Sequence, residues 1–380
     1  MEKTKTTLDG KKIIIVRSNL KDRDPWLVKN IDTLIRGGFI VTLLCWNRES
    51  NSNLTKSKKN NEKYEEIRIN INAPYGIAIL FFLPIWWVLG FFKLLATTWD
   101  IVHAINLDSI FPAIIASKIK KKPIVYEIYD VYADLIILPK SLRKIGIFIE
   151  KKFMQISDAI IIANESQEKE LNGISNNNLT VIYNTPPDFF KIKTIKRKDT
   201  FTIFYAGVLY NNRPLNIDKV LEAITDIDKV QLVIAGYGNG VNDIKQMVKK
   251  SKNKAKYIGK ISYSEVLDKT IKSDLLFALY DPIVPAVRHA SCNKLFEAMM
   301  AHKPIIVGDG TAMADMVEKE NCGIVVNTNN VDEIKKAILT LKNNPKQYTK
   351  LGANGRHAYV TKYNREIMEN RLLDLYKNIF

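Results

Sequence analysis

Apolar residues in this chain fall in short unbroken runs, and between the runs they recur at helical spacing. Lys12 to Val16 is such a run, typical of a strand covered on both faces. Asp24-Pro25 then opens a helix whose Trp26, Leu27, Asn30, Ile31, Leu34 and Ile35 share one side, and Gly37-Gly38 closes it. Phe39 to Cys45 is a second strand. Strand, helix, strand in that order predicts an α/β fold, a parallel sheet with helices on both faces. Further strands are expected at Asp100–Ile105, Lys122–Asp130, Asp158–Ala163 and Val181–Asn184. A second set follows at Thr202–Gly207, from Gln231 to the glycine-rich turn at Gly236-Tyr-Gly238-Asn-Gly240, at Lys256–Gly259 and Ser273–Leu279, after Pro304, and at Gly323–Val326. Helical patterns cover Glu265–Ile271, Leu295–Met300, Val331–Leu341 and Met368–Phe380.

Between the two sets, Thr185 to Thr200 carries Pro186-Pro187 and a lysine-rich tail and reads as a linker. The expected division is a first domain at 1–184, a linker at 185–200, a second domain at 201–360 and a terminal segment at 361–380. With 380 residues, each domain is large enough for its own core.

One stretch breaks the pattern. No charged residue occurs from Ile69 to Phe92, and Gly76 to Phe92 is almost wholly apolar and aromatic. A run of this length meets the threshold for a transmembrane helix. A single crossing, however, would put two parts of one domain on opposite sides of the bilayer. Residues 73–95 are therefore expected to lie in the membrane interface or dip into one leaflet, with Trp86 and Trp87 at headgroup level. A buried core helix is the alternative.

Apolar content of 46% and charged content of 26% belong to a folded globular protein. The net charge of +17, with basic runs at Lys56–Lys59, Lys118–Lys122 and Lys191–Lys198, suits an anionic lipid surface or a phosphate-rich substrate. No nucleic-acid partner is expected, because no RNA-binding aromatic motif, zinc finger or helix-turn-helix pattern accompanies the charge. Cys45, Cys292 and Cys322 are widely spaced and in no metal-ligand pattern, which points to a reducing compartment. Met1 to Lys12 is polar and charged, unlike a signal peptide, so the expected place is the cytoplasm, peripheral on the inner face of the cell membrane. The first turn lacks the glycine-rich dinucleotide fingerprint, which argues against a nicotinamide enzyme.

Candidate chemistry concentrates between Ser291 and Pro304. Ser291 and Asn293 are capping-type residues at the start of a short helix. Such a helix start offers unpaired backbone N–H groups and a positive dipole end, which suits a phosphate, and Lys294 adds a point charge there. Glu297, about one turn further in, can accept hydrogen bonds from two vicinal sugar hydroxyls. The plainer reading is a solvated i,i+3 pair on a surface helix.

Asn293-Lys-Leu-Phe-Glu-Ala-Met-Met-Ala-His-Lys-Pro-Ile-Ile resembles the donor-site signature of retaining glycosyltransferases of family 4, group 1 glycosyltransferases with a GT-B fold. The resemblance implies two Rossmann-like domains facing a central cleft, and a nucleotide ribose held by Glu297. The family often carries a second Glu eight positions earlier, where this chain has His289. By the same resemblance, Gly207, Arg213 and Gly236 belong to the diphosphate site, with Ser291, Asn293 and Lys294. Asp100-Ile-Val-His103-Ala is similar to a strand end of the family, with Ile105 where a second His usually stands. Lys122-Pro-Ile-Val-Tyr-Glu-Ile-Tyr-Asp130 is similar to another, with Tyr129 and Asp130 replacing the usual His and Glu. His103 and Asp130 are thus the candidates for catalytic proton transfer. The implied activity is transfer of a sugar from a nucleotide-sugar substrate to a lipid-linked or membrane glycan acceptor. No cofactor and no metal are expected, because protein groups stabilise the leaving diphosphate. Two readings from other classes share the fold: a non-catalytic membrane adaptor and a sugar-nucleotide epimerase.

Overall fold

The computed structural model describes residues 8–49, 62–74, 76–131, 140–170, 178–190, 199–211, 215–283, 288–289 and 293–380. The chain forms two compact units, Met1–Tyr183 with Met368–Phe380, and Asn184–Ile367.

The first unit is built on seven parallel strands: β1 (Lys12–Arg17), β2 (Ile40–Asn47), β3 (Tyr64–Asn70), β4 (Ile101–Ile105), β5 (Ile124–Ile128), β6 (Ala159–Ile162) and β7 (Leu179–Val181). Their order is β3-β2-β1-β4-β5-β6-β7. The winding reverses between β1 and β4, so the carboxyl ends of these two strands flank a crevice of the kind where ligands bind. The second unit has six parallel strands: β8 (Phe201–Val208), β9 (Val230–Tyr237), β10 (Ala255–Tyr257), β11 (Leu275–Ala278), β12 (Ile305–Gly308) and β13 (Gly323–Val326). Their order, β10-β9-β8-β11-β12-β13, places the equivalent crevice between β8 and β11.

β3 carries no apolar run. Tyr64-Glu-Glu-Ile-Arg-Ile-Asn is an edge strand with only one neighbour, β2, so charge is tolerated along it. Of the segment 185–200, residues 191–198 lie outside the described residues. The part before them belongs to the second unit: the Tyr359 hydroxyl donates to the Pro186 carbonyl at 2.7 Å, and Arg356 grips Asp188 through two nitrogens. The terminal helix Arg365–Ile379 enters the first unit at Met368. There Arg371 donates to the Val181 carbonyl at 3.0 Å, and Tyr376 is fully buried.

The uncharged stretch becomes a short 3-10 turn, Ile77–Phe81, followed by the helix Leu83–Ala96. One side of this helix is core, formed by Leu83, Trp86, Gly90 and Leu94. Trp86 stacks on Trp46 at 5.5 Å, and the indole N–H groups of Trp86 and Trp87 both donate to the Asp108 carbonyl at 2.9 Å. Asp108 lies in the first turn of the helix Leu107–Lys120. Its carbonyl lacks the usual helical donor because the residue four positions on is Pro112, which has no N–H. Two inward-turned tryptophans fill that vacancy, which corrects the expectation that they sit at headgroup level. The other side of the helix exposes Ile85, Val88, Leu89 and Phe92, and Phe81 just before it. Among the described residues, no helix is long and apolar enough to cross a membrane.

Candidate functional site

At the carboxyl ends of β8 and β9 two backbones meet without side chains between them. Gly207 and Gly236 are paired in register, and a Cβ on Gly236, whose φ is +155°, would collide with the Gly207 carbonyl oxygen. The Tyr257 hydroxyl holds the Gly236 carbonyl at 2.8 Å. Small residues are required here, and they leave backbone accessible to a ligand.

The helix Asn293–Met300 brings the charged groups to this floor. Its Leu295, Phe296, Ala298, Met299 and Met300 are core residues, which fixes the helix against the sheet. Lys294 and Glu297 share that burial, at 8% and 4% exposed, so a solvated surface pair is excluded. The Lys294 ammonium donates to the Tyr280 hydroxyl at 3.0 Å and sits 4.4 Å from the centre of the Tyr205 ring. A Cβ placed on Gly207 would lie 3.1 Å from it. Glu297 takes a hydrogen bond from Tyr263, whose hydroxyl pKa is pushed up by burial and by that carboxylate. Asn293 is the exposed first residue of the helix. Arg213 and Ser291 lie outside the described residues.

A buried cation over two side-chain-free backbones can receive a diphosphate, because ammonium and N–H groups both stabilise phosphate oxygens. A carboxylate one helical turn away can take a vicinal diol. Tyr205, Tyr263 and Tyr280 were not indicated by the sequence. Tyr205 lies within β8, Tyr263 opens the helix Tyr263–Lys272 and Tyr280 stands just past β11, and only the topology brings them to Lys294 or Glu297.

His103 and Asp130 occupy different surroundings. His103 lies within β4 with no exposed surface; its Nδ1 is 2.7 Å from the Tyr376 hydroxyl, and its Nε2 is 2.9 Å from Glu127 Oε2. Asn30 donates to the other Glu127 oxygen at 3.3 Å. This chain of polar groups ties β4 and β5 to the helix Pro25–Arg36 and to the terminal helix. Asp130 stands two residues beyond β5 and is partly exposed.

The crevice of the first unit brings Arg17, Ser18 and Arg48, which the motifs did not mark, to Asp24, Trp26 and Tyr129. Arg17 pairs with Asp24 at 3.0 Å, and its guanidinium lies 4.9 Å from the ring centre of Tyr129, which stacks on Trp26. Burial opposes the Arg17 charge, but Asp24, Tyr129 and Asp108 outweigh it and raise its pKa. Asp24 also caps the helix Pro25–Arg36 through the Leu27 N–H. Arg48 donates to the Ser18 carbonyl at 2.7 Å, and the Ser18 hydroxyl donates to the Asp108 carboxylate. Among the described residues, no three His, Cys, Asp or Glu side chains converge as a metal site.

Two Rossmann-like parallel-sheet units in one chain, with a cation and a carboxylate at the carboxyl edge of the second, define a GT-B fold. Sucrose-phosphate synthase (tll1590) from Thermosynechococcus elongatus superposes with a TM-score of 0.76 at 14% identity, covering 97% of this chain and 99% of that one. Anabaena Alr3699/HepE in complex with UDP gives 0.73 at 13% identity, covering 97% and 100%. At such identities the likeness establishes the fold. Residues 187–358 match the family described as glycosyl transferases group 1. An uncharacterized glycosyltransferase, MJ1178, of Methanocaldococcus jannaschii is 25% identical over 225 residues; the match spans 59% of this chain and 60% of that protein.

Proposed function

We propose that this chain is a retaining glycosyltransferase. It moves a sugar from a nucleoside-diphosphate sugar to a hydroxyl of a membrane-associated acceptor, a lipid-linked glycan or glycolipid. The observation that carries the reading is the burial of Lys294 against Gly207, with Glu297 buried one turn further along the same helix. Burying a charge is costly unless it is paired or put to use. An adaptor would have no use for this pair. UDP in the Anabaena protein supports a nucleoside diphosphate as the ligand class.

In the reaction, the bond from the anomeric carbon to the β-phosphate oxygen breaks and the acceptor oxygen bonds to that carbon on the same face. Negative charge grows on the departing diphosphate. Lys294, Arg213 and the helix start near Ser291 and Asn293 stabilise it, so the scheme draws on no metal. The acceptor hydroxyl passes its proton to the departing phosphate oxygen. His103, enclosed between Tyr376 and Glu127, is assigned to holding the terminal helix, and Asp130 is the alternative acceptor of that proton in place of the phosphate oxygen. A membrane acceptor is supported by the exposed apolar side of Leu83–Ala96, for which an epimerase would have no use, and we place that acceptor on the cytoplasmic face.

The test is to incubate the protein with labelled sugar nucleotides of different bases and a membrane lipid extract. Label entering the organic phase, with the anomeric configuration of the donor kept by NMR, is the expected result. An inverted product removes the retaining assignment. Label found only in an isomerised sugar nucleotide indicates an epimerase, and nucleotide binding without turnover indicates an adaptor.

A further inference from the structure

We infer that the first unit docks on anionic lipid through a face made by three neighbouring helices, not by the uncharged stretch alone. The inference rests on the membrane-acceptor reading and says which surface meets the bilayer.

The helices Leu83–Ala96, Leu107–Lys120 and Lys140–Ile156 pack side by side on one core cluster of the first unit. Trp87 meets Phe111 at 4.9 Å, Phe111 meets Phe153 at 6.3 Å, and Gly90 lies against Pro112. Each helix turns large apolar side chains outward. Phe81 before the first is 84% exposed, Phe92 is 61%, Ile119 is 57% and Phe148 is 60%. Exposed apolar residues scattered singly mean little, but a contiguous set across three adjacent helices marks a contact surface.

Charge selects the occupant. Lys93, Lys118, Lys121, Lys144 and Lys152 are exposed on or next to the same helices. The acidic residues of the three helices, Asp108 and Glu150, are both buried, and they accept hydrogen bonds from Ser18 and Tyr126. The charge this face offers to solvent is therefore positive. An apolar surface whose three helices expose lysines, with the flanking Asp100 drawn to Lys122 and Asp158 held by the Ile124 N–H, complements a bilayer with anionic headgroups, where each lysine near the surface adds to binding and each apolar side chain enters the acyl boundary.

The face also has a fixed relation to the crevice of the first unit. Trp86 and Trp87 moor the start of Leu83–Ala96 to the Asp108 carbonyl, and the Asp108 carboxylate accepts from Ser18, just past β1. The apolar face therefore begins at the rim of the β1/β4 switch point. A lipid-anchored acceptor would present its headgroup there while its chain stays in the bilayer.

The experiment is co-flotation of the full chain with vesicles of phosphatidylcholine, alone or mixed with phosphatidylglycerol, at low and high salt. Wild type is expected to float with the anionic vesicles and to be released by salt. The triple variant Phe92→Ser, Ile119→Ser, Phe148→Ser should bind roughly a hundredfold more weakly. Its thermal midpoint and its shift with nucleoside diphosphate should be unchanged, since all three side chains point outward. Equal flotation of the triple variant, or no flotation of wild type, overturns the inference. So does a wild-type dimer that the substitutions convert to monomer, because a second copy then covers the face. Donor binding is read separately, so loss of docking and loss of the donor site are distinguishable.

Discussion

Lys294→Met is expected to lower turnover by about 10²–10³-fold, the effect of losing one donor aimed at developing charge. Methionine keeps most of the length and volume of the buried stem, so the helix Asn293–Met300 should stay in place. The loss should fall mainly on kcat, because the charge on the departing diphosphate is largest in the transition state. Lys294→Arg is not expected to restore activity. The ammonium is enclosed by the rings of Tyr205 and Tyr280 and by Gly207, and a planar guanidinium needs more room than that enclosure gives. Steady-state kinetics on both variants, with the thermal midpoint as a control for folding, checks this. Turnover within a factor of two of wild type for Lys294→Met, roughly 0.4 kcal/mol, would remove the lysine from the chemistry.

Trp86→Ser is expected to cost about 3–5 kcal/mol of stability, the range for truncating a large buried aromatic. The side chain has no exposed surface, stacks on Trp46 and donates one of the two hydrogen bonds to the Asp108 carbonyl. Serine would leave a cavity and cannot reach that carbonyl. Denaturant titration is the measurement, and a midpoint unchanged from wild type would contradict the packing described. Trp87→Ser should cost less, since Trp87 is only partly buried and Trp86 still holds the carbonyl.

The same tryptophans show where sequence reading stopped. An uncharged run with paired indoles suggests headgroup anchoring. What turns the indoles inward is a carbonyl left vacant by Pro112, in a helix that the pattern of Asn51–Trp99 does not contain. The parallel strands were legible because strands covered on both faces read as continuous apolar runs. β3 was not, because an edge strand with Glu65, Glu66 and Arg68 has no such run. Lys294 and Glu297 were legible as a motif, but their burial was not, and it is burial that separates a binding pair from a surface pair. His103 was legible as a strand-end residue. Its tie to Tyr376 spans 273 positions and appears only when the terminal helix returns to the first unit.

The central claim is that Lys294 and Glu297 hold a nucleoside diphosphate, and titration of UDP, GDP, ADP and TDP into wild type and Glu297→Ala tests it most directly. Ligand that binds only the folded protein raises its thermal midpoint, so the panel can be read by thermal shift and quantified by calorimetry. The expected result is binding of one nucleotide, weakened about tenfold to a hundredfold by Glu297→Ala, as charge-assisted hydrogen bonds worth about 1.5–3 kcal/mol are lost. No shift with any nucleotide in folded wild type, or equal affinity in the variant, would contradict it.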